Sequence, residues 1–570
     1  MSARRLPSNA VLAEQLDLLA DLSELLGEEG FRITAYRRAA TRIRETPGSV
    51  AEMALAGTAK ELQGIGKTIE EKITEVVDDG EMAALRKRRE QVPEGLVAFL
   101  RLPGLGPKTT ARIWHELGVT TLDELREAAE AERLRALPGL GARSEAKILD
   151  ALRKGAGSDE PRRTPLGVGL PAVLEVVETL RAHPAAIRVS EAGSVRRRKE
   201  TFRDLDLIAT ATDPAALSAA FVELPFVDEV VAHGETKATV ISGNGLRFDL
   251  RVVPPESFGN LLQHFSGSKE HNVALREDAV RRGFSVSEYG VTTLATGEVF
   301  STGDEAEVYA HLGYQYIPPE LRENTGELEA AREGKLPRLV ELSDLKGDLH
   351  AHSTWSSDGK ATLEEMALAA RARGYRYLAI TDHSHYLRNG RLELQAAATA
   401  ELNGRLKPFR VLHGIEANIR ADGALDISDG ELASLDWVIA SLHTSFDRNP
   451  TERILEAVEN PHVDCIGHLT GRKLSRREGA DVDVERVVAR CVATGTALEI
   501  DSQPDRLDLR DVHARLAGEA GVPVCIDSDA HSTATLGYVD YGIAVARRAW
   551  LTKEQILNTR PWREIERMRR

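Results

Sequence analysis

Asp204 and Asp206 stand two residues apart in the run Asp-Leu-Asp-Leu-Ile-Ala over 204–209, which reads as a strand. A strand alternates its faces with period two, so both carboxylates lie on one side. Neighbouring carboxylates repel, and a divalent cation in the gap removes the repulsion. Asp249 supplies a third acid from a second strand-like run, Arg-Phe-Asp-Leu-Arg-Val-Val over 247–253. Three carboxylates from two strands can hold two ions, expected to be Mg2+ or Mn2+, that bridge triphosphate oxygens and an attacking hydroxyl. Gly193 and Ser194 lie upstream at a turn whose N–H groups can reach phosphate, and Arg197 is placed to neutralise its charge. The chemistry is nucleotidyl transfer.

A second set of ligands fills the last third, which holds ten of the sixteen histidines. His350 and His352 follow a short strand-like run, with Asp358 just beyond. His383, Glu416, His443, His468, Asp529 and His531 come at or near the ends of five further such runs, with helical patterns such as 362–373 and 484–493 between them. Strand then helix, with polar groups at the strand's carboxyl end, is the plan of a β/α barrel with its site on that rim. Imidazole mixed with carboxylate suits manganese, zinc or iron better than magnesium alone. Several such ions together would generate hydroxide and neutralise charge developing on phosphorus.

Other elements must position these groups. Residues 1–90 carry apolar residues at helical spacing. Three Gly-x-Gly turns, Gly64/Gly66, Gly104/Gly106 and Gly139/Gly141, each follow a leucine and open a helix with a basic residue near its start. Glycine allows close backbone approach, and a helix N-terminus aims N–H groups at an anion such as a DNA phosphate. Residues 155–165 read as a polar linker. Beyond it come a helix over about 171–182, strands at 186–191 and 204–209, a helix over 214–222, and strands near 227–232, 237–242 and 246–253. Phe265 and Gly267 can meet a nucleotide sugar, and Asn272 can hydrogen-bond its base. The charged, proline-marked stretch from 318 to about 345 reads as a second connector.

At 570 residues the chain exceeds one core, and three or four domains are expected. No apolar run approaches ~18 residues and the amino terminus lacks a signal-peptide core, so no membrane partner is expected. Cys465, Cys491 and Cys525 form no short pair, which fits a reducing cytoplasm. The net charge of −15 does not exclude nucleic acid, because local phosphate contacts can come from backbone N–H groups.

Residues 1–320 resemble the family X DNA polymerases of the DNA polymerase beta type. The resemblance rests on Gly193-Ser194 with Asp204 and Asp206, Arg247-x-Asp249, Phe265-Ser-Gly267 with Asn272, the Gly-Phe-Ser-Val-Ser-Glu-Tyr run, and the Gly-x-Gly helices. It implies gap filling in base excision repair on gapped or primed DNA with dNTPs. Asp204, Asp206 and Asp249 would then bind metal, and Ser194 and Arg197 the triphosphate. Lys72 falls where the family carries a deoxyribose-phosphate lyase lysine, and His264 replaces a tyrosine usual in eukaryotic members.

The last third resembles the polymerase and histidinol phosphatase (PHP) family. That resemblance implies that His350, His352, Asp358, His383, Glu416, His443, His468, Asp529 and His531 hold two or three metal ions. It also implies 3′→5′ exonuclease activity, in some members with abasic-site endonuclease or 3′-phosphodiesterase activity.

The expected organisation is a multidomain α and α/β protein. It comprises a helical lyase-like DNA-binding domain (1–90), a helix-hairpin-helix subdomain (91–155), a nucleotidyltransferase palm (166–256), a nucleotide-binding subdomain (257–320), a linker (321–345) and a PHP nuclease barrel (346–570). A monomer is expected. One alternative joins a signalling or RNA nucleotidyltransferase to a phosphatase of histidinol-phosphate type, but neither activity needs the three Gly-x-Gly helices. A non-catalytic DNA-binding scaffold is the other, at odds with two intact ligand sets.

Overall fold

The computed structural model describes residues 6–7, 9–28, 30–46, 49–62, 64–100, 102, 105–137, 140–153 and 163–569. Gly104, Gly139 and most of the 155–165 linker lie outside them. By internal packing the chain divides into two units that interleave in sequence. One is drawn from 1–163, 171–191 and 203–254, the other from 164–170, 192–202 and 255–570.

The first unit opens with helices, among them Asn9–Leu25, Gly30–Glu45, Lys67–Asp79, Pro107–Leu117, Leu122–Glu130 and Ala142–Arg153. Their apolar stripes meet around Leu12, Leu16, Ile43, Ile73, Phe99 and Ile113. Gly66 and Gly106 cap Lys67–Asp79 and Pro107–Leu117 with no side-chain acceptor, and Gly80 and Gly118 end the same helices in the left-handed region.

The same unit holds a five-stranded sheet in the order Ala186–Glu191, Asp204–Ala211, Arg247–Val252, Lys237–Ser242, Val227–His233. Only the Asp204–Ala211 and Arg247–Val252 pair is parallel. The strand limits lie close to those read from alternation. The helix expected to start at 171 starts at Leu166 instead. Its first glycines serve packing: a Cβ on Gly169 would lie 1.8 Å from the Phe202 ring, and one on Gly167 2.2 Å from Pro504.

In the second unit, helices Phe258–Ser266 and Lys269–Arg281 and the strands Phe284–Ser287, Gly290–Thr293 and Val299–Phe300 surround a core that includes Leu275, Val291 and Tyr309. That core runs on through Leu321, Leu328 and Leu339, so 321–345 is a packed segment and not a free linker. Its charges are satisfied at a distance. Arg322 and Glu327 are fully buried, Arg322 on the Ile317 carbonyl at 2.7 Å and Glu327 on His271 Nδ1 at 2.6 Å.

Seven parallel strands follow in chain order: Gly347–Asp348, Tyr377–Ile380, Arg410–Asn418, Trp437–Ser441, Cys465–Ile466, Ala497–Asp501 and Val524–Asp527. The two outer strands approach each other where Ala351 bridges Ala530, with His352 N–H on the Ala530 carbonyl at 2.8 Å. The result is a nearly closed barrel. Its strands are apolar on both faces because helices such as Leu363–Ala372, started by a Thr362–Glu365 capping box, cover the outside. The expected α and α/β architecture with a β/α barrel is what the chain forms.

Candidate active sites

On the five-stranded sheet the parallel register sets Asp206 opposite Asp249 and Asp204 opposite Arg247. Leu205, Leu207, Phe248 and Leu250 turn inward and are buried, which leaves the acids on the other face. One oxygen from each of Asp204, Asp206 and Asp249 lies within 4.8 Å of the others. Asp249 is oriented by Arg247 Nε at 2.9 Å and by the Thr239 hydroxyl. An all-carboxylate trio suits a hard divalent cation.

Gly193–Arg196 forms a single helical turn in the second unit, with Gly193 at φ 61°. Arg197 follows that turn. It is buried, with Nε on Glu323 at 2.9 Å and Nη1 on the Ser266 carbonyl at 3.0 Å, so it is no free surface cation. Asn272 also looks inward: its amide donates to the His264 carbonyl at 2.7 Å and the Gly267 carbonyl at 3.3 Å, bracing the junction between two helices. Gly267 must be small there, since a Cβ would meet Asn272 Oδ1 at 2.6 Å. Phe265 is half-buried beside His264, which Arg276 engages through Nδ1 at 2.9 Å.

Gly64, Gly66, Gly106 and Gly141 have open space where a Cβ would project. Lys72 is half-buried on the helix that Gly66 opens. The acids beside it are occupied elsewhere: Glu70 accepts from Lys60 N–H at 3.0 Å, Glu75 from Ala83 N–H at 2.9 Å, and Glu71 stands 3.9 Å from Lys67.

All nine expected barrel ligands converge. Glu416, almost fully buried, is the hub: its Oε1 lies 3.0 Å from His468 Nε2 and 3.1 Å from His443 Nε2. Its Oε2 lies 2.7 Å from His383 Nδ1 and 3.7 Å from both His350 and His352 Nε2. Asp529 Oδ1 is 3.1 Å from His352 Nε2, and Asp358 Oδ2 is 3.3 Å from both His383 and His531 Nε2. Three sets, His352/His383/His531, His350/His352/Asp529 and His383/Glu416/His443, each bring three ligand atoms within 4.8 Å. Glu416 Oε2 and His383 Nδ1 are close, buried and yet hydrogen-bond to nothing, the state of ligands turned toward an ion. The donor set fits a transition metal.

The electrostatics follow from that crowding. Burial alone would lower His383, but the Glu416 and Asp358 carboxylates override it and lift it to about 10. Burial and the neighbouring His531 and His383 press His352 down to about 3. Beside the ligands opens a cleft of about 410 Å³ lined by His383, His385, Asn418, Arg420, His443 and Thr444.

The chain matches family models for a helix-hairpin-helix domain over 7–82, a SAM-like helix-hairpin-helix tandem over 97–154, a DNA polymerase beta thumb over 261–323 and a PHP domain over 348–500. It is 41% identical over 562 residues to the "DNA polymerase/3'-5' exonuclease PolX" of Bacillus subtilis (strain 168), covering 97% of each chain. The chain belongs to the family X DNA polymerases that carry a PHP domain. Shorter matches of 30% over 226 residues and 29% over 223 residues, each 37% of this chain, link it to a "Probable phosphatase" of Thermoanaerobacter sp. (strain X514) and one of Syntrophotalea carbinolica; they cover 89% and 90% of those proteins.

Further residues of this family X polymerase, with no signal of their own in the sequence but one, hold the expected ligands in place. Glu499, fully buried, accepts from His350 Nδ1 at 2.6 Å and from His468 N–H at 2.6 Å. Asn418 Oδ1 meets His443 Nδ1 at 2.5 Å, turning Nε2 toward Glu416. Asp382 ties down the loop before Asp358 through Ser353 N–H at 2.8 Å and Ser356 N–H at 3.2 Å. Glu499 and Asp501 alternate in Ala-Leu-Glu-Ile-Asp, the same acid-x-acid signal that pointed to Asp204 and Asp206.

Proposed function

We propose that this chain is a DNA-directed DNA polymerase that fills gaps during base excision repair, and that its barrel is a metal-dependent 3′→5′ exonuclease. What carries the reading is two ligand sets of different hardness on one chain, the Asp206–Asp249 register pair and the imidazole-rich rim. Asp204, Asp206 and Asp249 would hold Mg2+ or Mn2+, which neutralises triphosphate charge and lowers the pKa of the attacking 3′ hydroxyl. Gly193 and Ser194 offer backbone N–H groups to the triphosphate, and Arg197 a guanidinium. Phe265, Gly267 and Asn272 shape the wall that receives the nucleotide. The turns at Gly64, Gly66, Gly104, Gly106, Gly139 and Gly141 grip DNA backbone. His350, His352, Asp358, His383, Glu416, His443, His468, Asp529 and His531 would hold manganese, zinc or iron. Abasic-site cleavage and 3′-phosphodiesterase activity would use the same rim, so that the barrel cleans a 3′ end which the polymerase then extends. A monomer in the cytoplasm completes the reading; no helix among the described residues is long and apolar enough to cross a membrane.

Primer extension and degradation on a gapped duplex test it. Asp249→Asn should abolish extension and spare degradation, and His531→Ala should do the reverse; survival of both activities in both variants refutes the assignment. On a 3′-blocked gap, His350→Ala should stop unblocking. Lys72, whose flanking acids are occupied elsewhere, is proposed as the lyase nucleophile. Borohydride trapping on an abasic substrate should yield an adduct that Lys72→Ala loses.

The matches to probable phosphatases favour a second reading for the barrel alone, hydrolysis of a small phosphomonoester. Turnover of p-nitrophenyl phosphate without degradation of oligonucleotides would select it.

A further inference from the structure

Arg197 is held by groups far from it in sequence. Its Nε and Nη1 go to Glu323 and to the Ser266 carbonyl, and its Nη2 takes no protein partner among the described residues. Glu323 Oε1 also receives Nη1 of Arg548 at 2.9 Å, and Lys199 Nζ stands 3.6 Å away. Arg548 ends the barrel helix Val539–Arg548, and its side chain is 6% exposed. The same Nη1 reaches the Arg197 carbonyl at 3.0 Å, while Nε and Nη2 close on Asp511 at 2.9 and 2.6 Å.

Three cations, Arg197, Lys199 and Arg548, therefore share two carboxylates, Glu323 and Asp511. A largely buried cluster with surplus positive charge is favoured by an arriving anion. Glu323 spreads one negative charge over all three cations, so it anchors Arg197 without neutralising it. With two nitrogens fixed, the guanidinium has its free edge set in one direction, which spares the entropy of ordering it when a phosphate binds.

We propose that Glu323 and Arg548 are positioning residues for nucleotidyl transfer. They fix Arg197 so that its free edge meets the triphosphate of an incoming nucleotide, and the nuclease barrel thereby becomes part of the polymerase's nucleotide-binding apparatus. This rests on the reading of Arg197 as a triphosphate ligand.

The test is single-nucleotide insertion by the full chain on gapped DNA, with kcat and KM for dNTP resolved. Glu323→Gln keeps the side-chain volume and should raise KM about tenfold while kcat moves less than about threefold. Arg548→Gln should do the same, with degradation by the barrel and the melting temperature reporting whether it folds. Arg197→Ala should raise KM at least as far, and the Arg197→Ala/Glu323→Gln double variant should match Arg197→Ala alone. If Arg197→Ala raises KM but Glu323→Gln leaves it unchanged or lowers it, the positioning role is overturned. Additive effects in the double variant overturn it too. If Arg197→Ala leaves KM unchanged, the triphosphate reading fails and takes the proposal with it.

Discussion

Asp206 and Asp249 are register partners on two adjacent parallel strands, so their separation is set by main-chain hydrogen bonds and not by side-chain choice. Extension should therefore depend on charge at this pair and not on its shape. Asp249→Asn preserves shape and is expected to slow single-nucleotide insertion on the order of a thousandfold. Binding of primed DNA, measured by fluorescence anisotropy, should stay within experimental error.

Glu499 grips His350 through its ring and His468 through its backbone, each at 2.6 Å. Glu499→Gln keeps the volume but loses the charge that orients His350. Manganese affinity of the barrel should fall about 10- to 100-fold by titration calorimetry. Extension by the other centre should not change.

Gly359 follows Asp358, and a Cβ there would lie 1.9 Å from the Ser353 carbonyl oxygen. The backbone must shift to admit alanine, which moves Asp358 away from His383 and His531. Gly359→Ala is expected to destabilise the barrel by about 1–3 kcal/mol. Thermal melting should register that loss, and the stabilisation by added manganese should shrink.

Burial by itself would raise Glu305, but Arg322 and Arg196 bring it down to about 2. The folded value is below the unfolded one of about 4.3, so the carboxylate adds stability above that pH and loses it as pH falls toward 2. Acidification through this window should loosen the Phe258–Leu339 region first, as followed by hydrogen exchange. Glu305→Gln should be weaker already at pH 7 and show a flatter acid limb.

Strand limits in the five-stranded sheet were legible because alternation is local: Asp-x-Asp in an apolar run announces its geometry within a few residues. Placement at or near strand ends likewise marked the nine expected barrel ligands, since a parallel barrel buries both faces of its strands and presents its polar groups mostly toward their carboxyl ends. Long-range pairing was invisible. The segment 321–345 looks like a connector because Arg322 and Glu327 are charged, yet Arg322 pairs with Glu305 and Glu327 accepts a hydrogen bond from His271. Glu499 was passed over because its use depends on His350, 149 residues away.

By itself, then, the sequence determined the family, the two kinds of ligand set and the alternation that exposes each acid, because these follow from backbone periodicity and side-chain chemistry. Only the tertiary structure decided which charge meets which. In the sequence Arg197 is a cation placed for phosphate; that Glu323 and the Ser266 carbonyl hold it is decided by the fold, because burial permits a guanidinium only beside the carboxylates and carbonyls that packing brings to it.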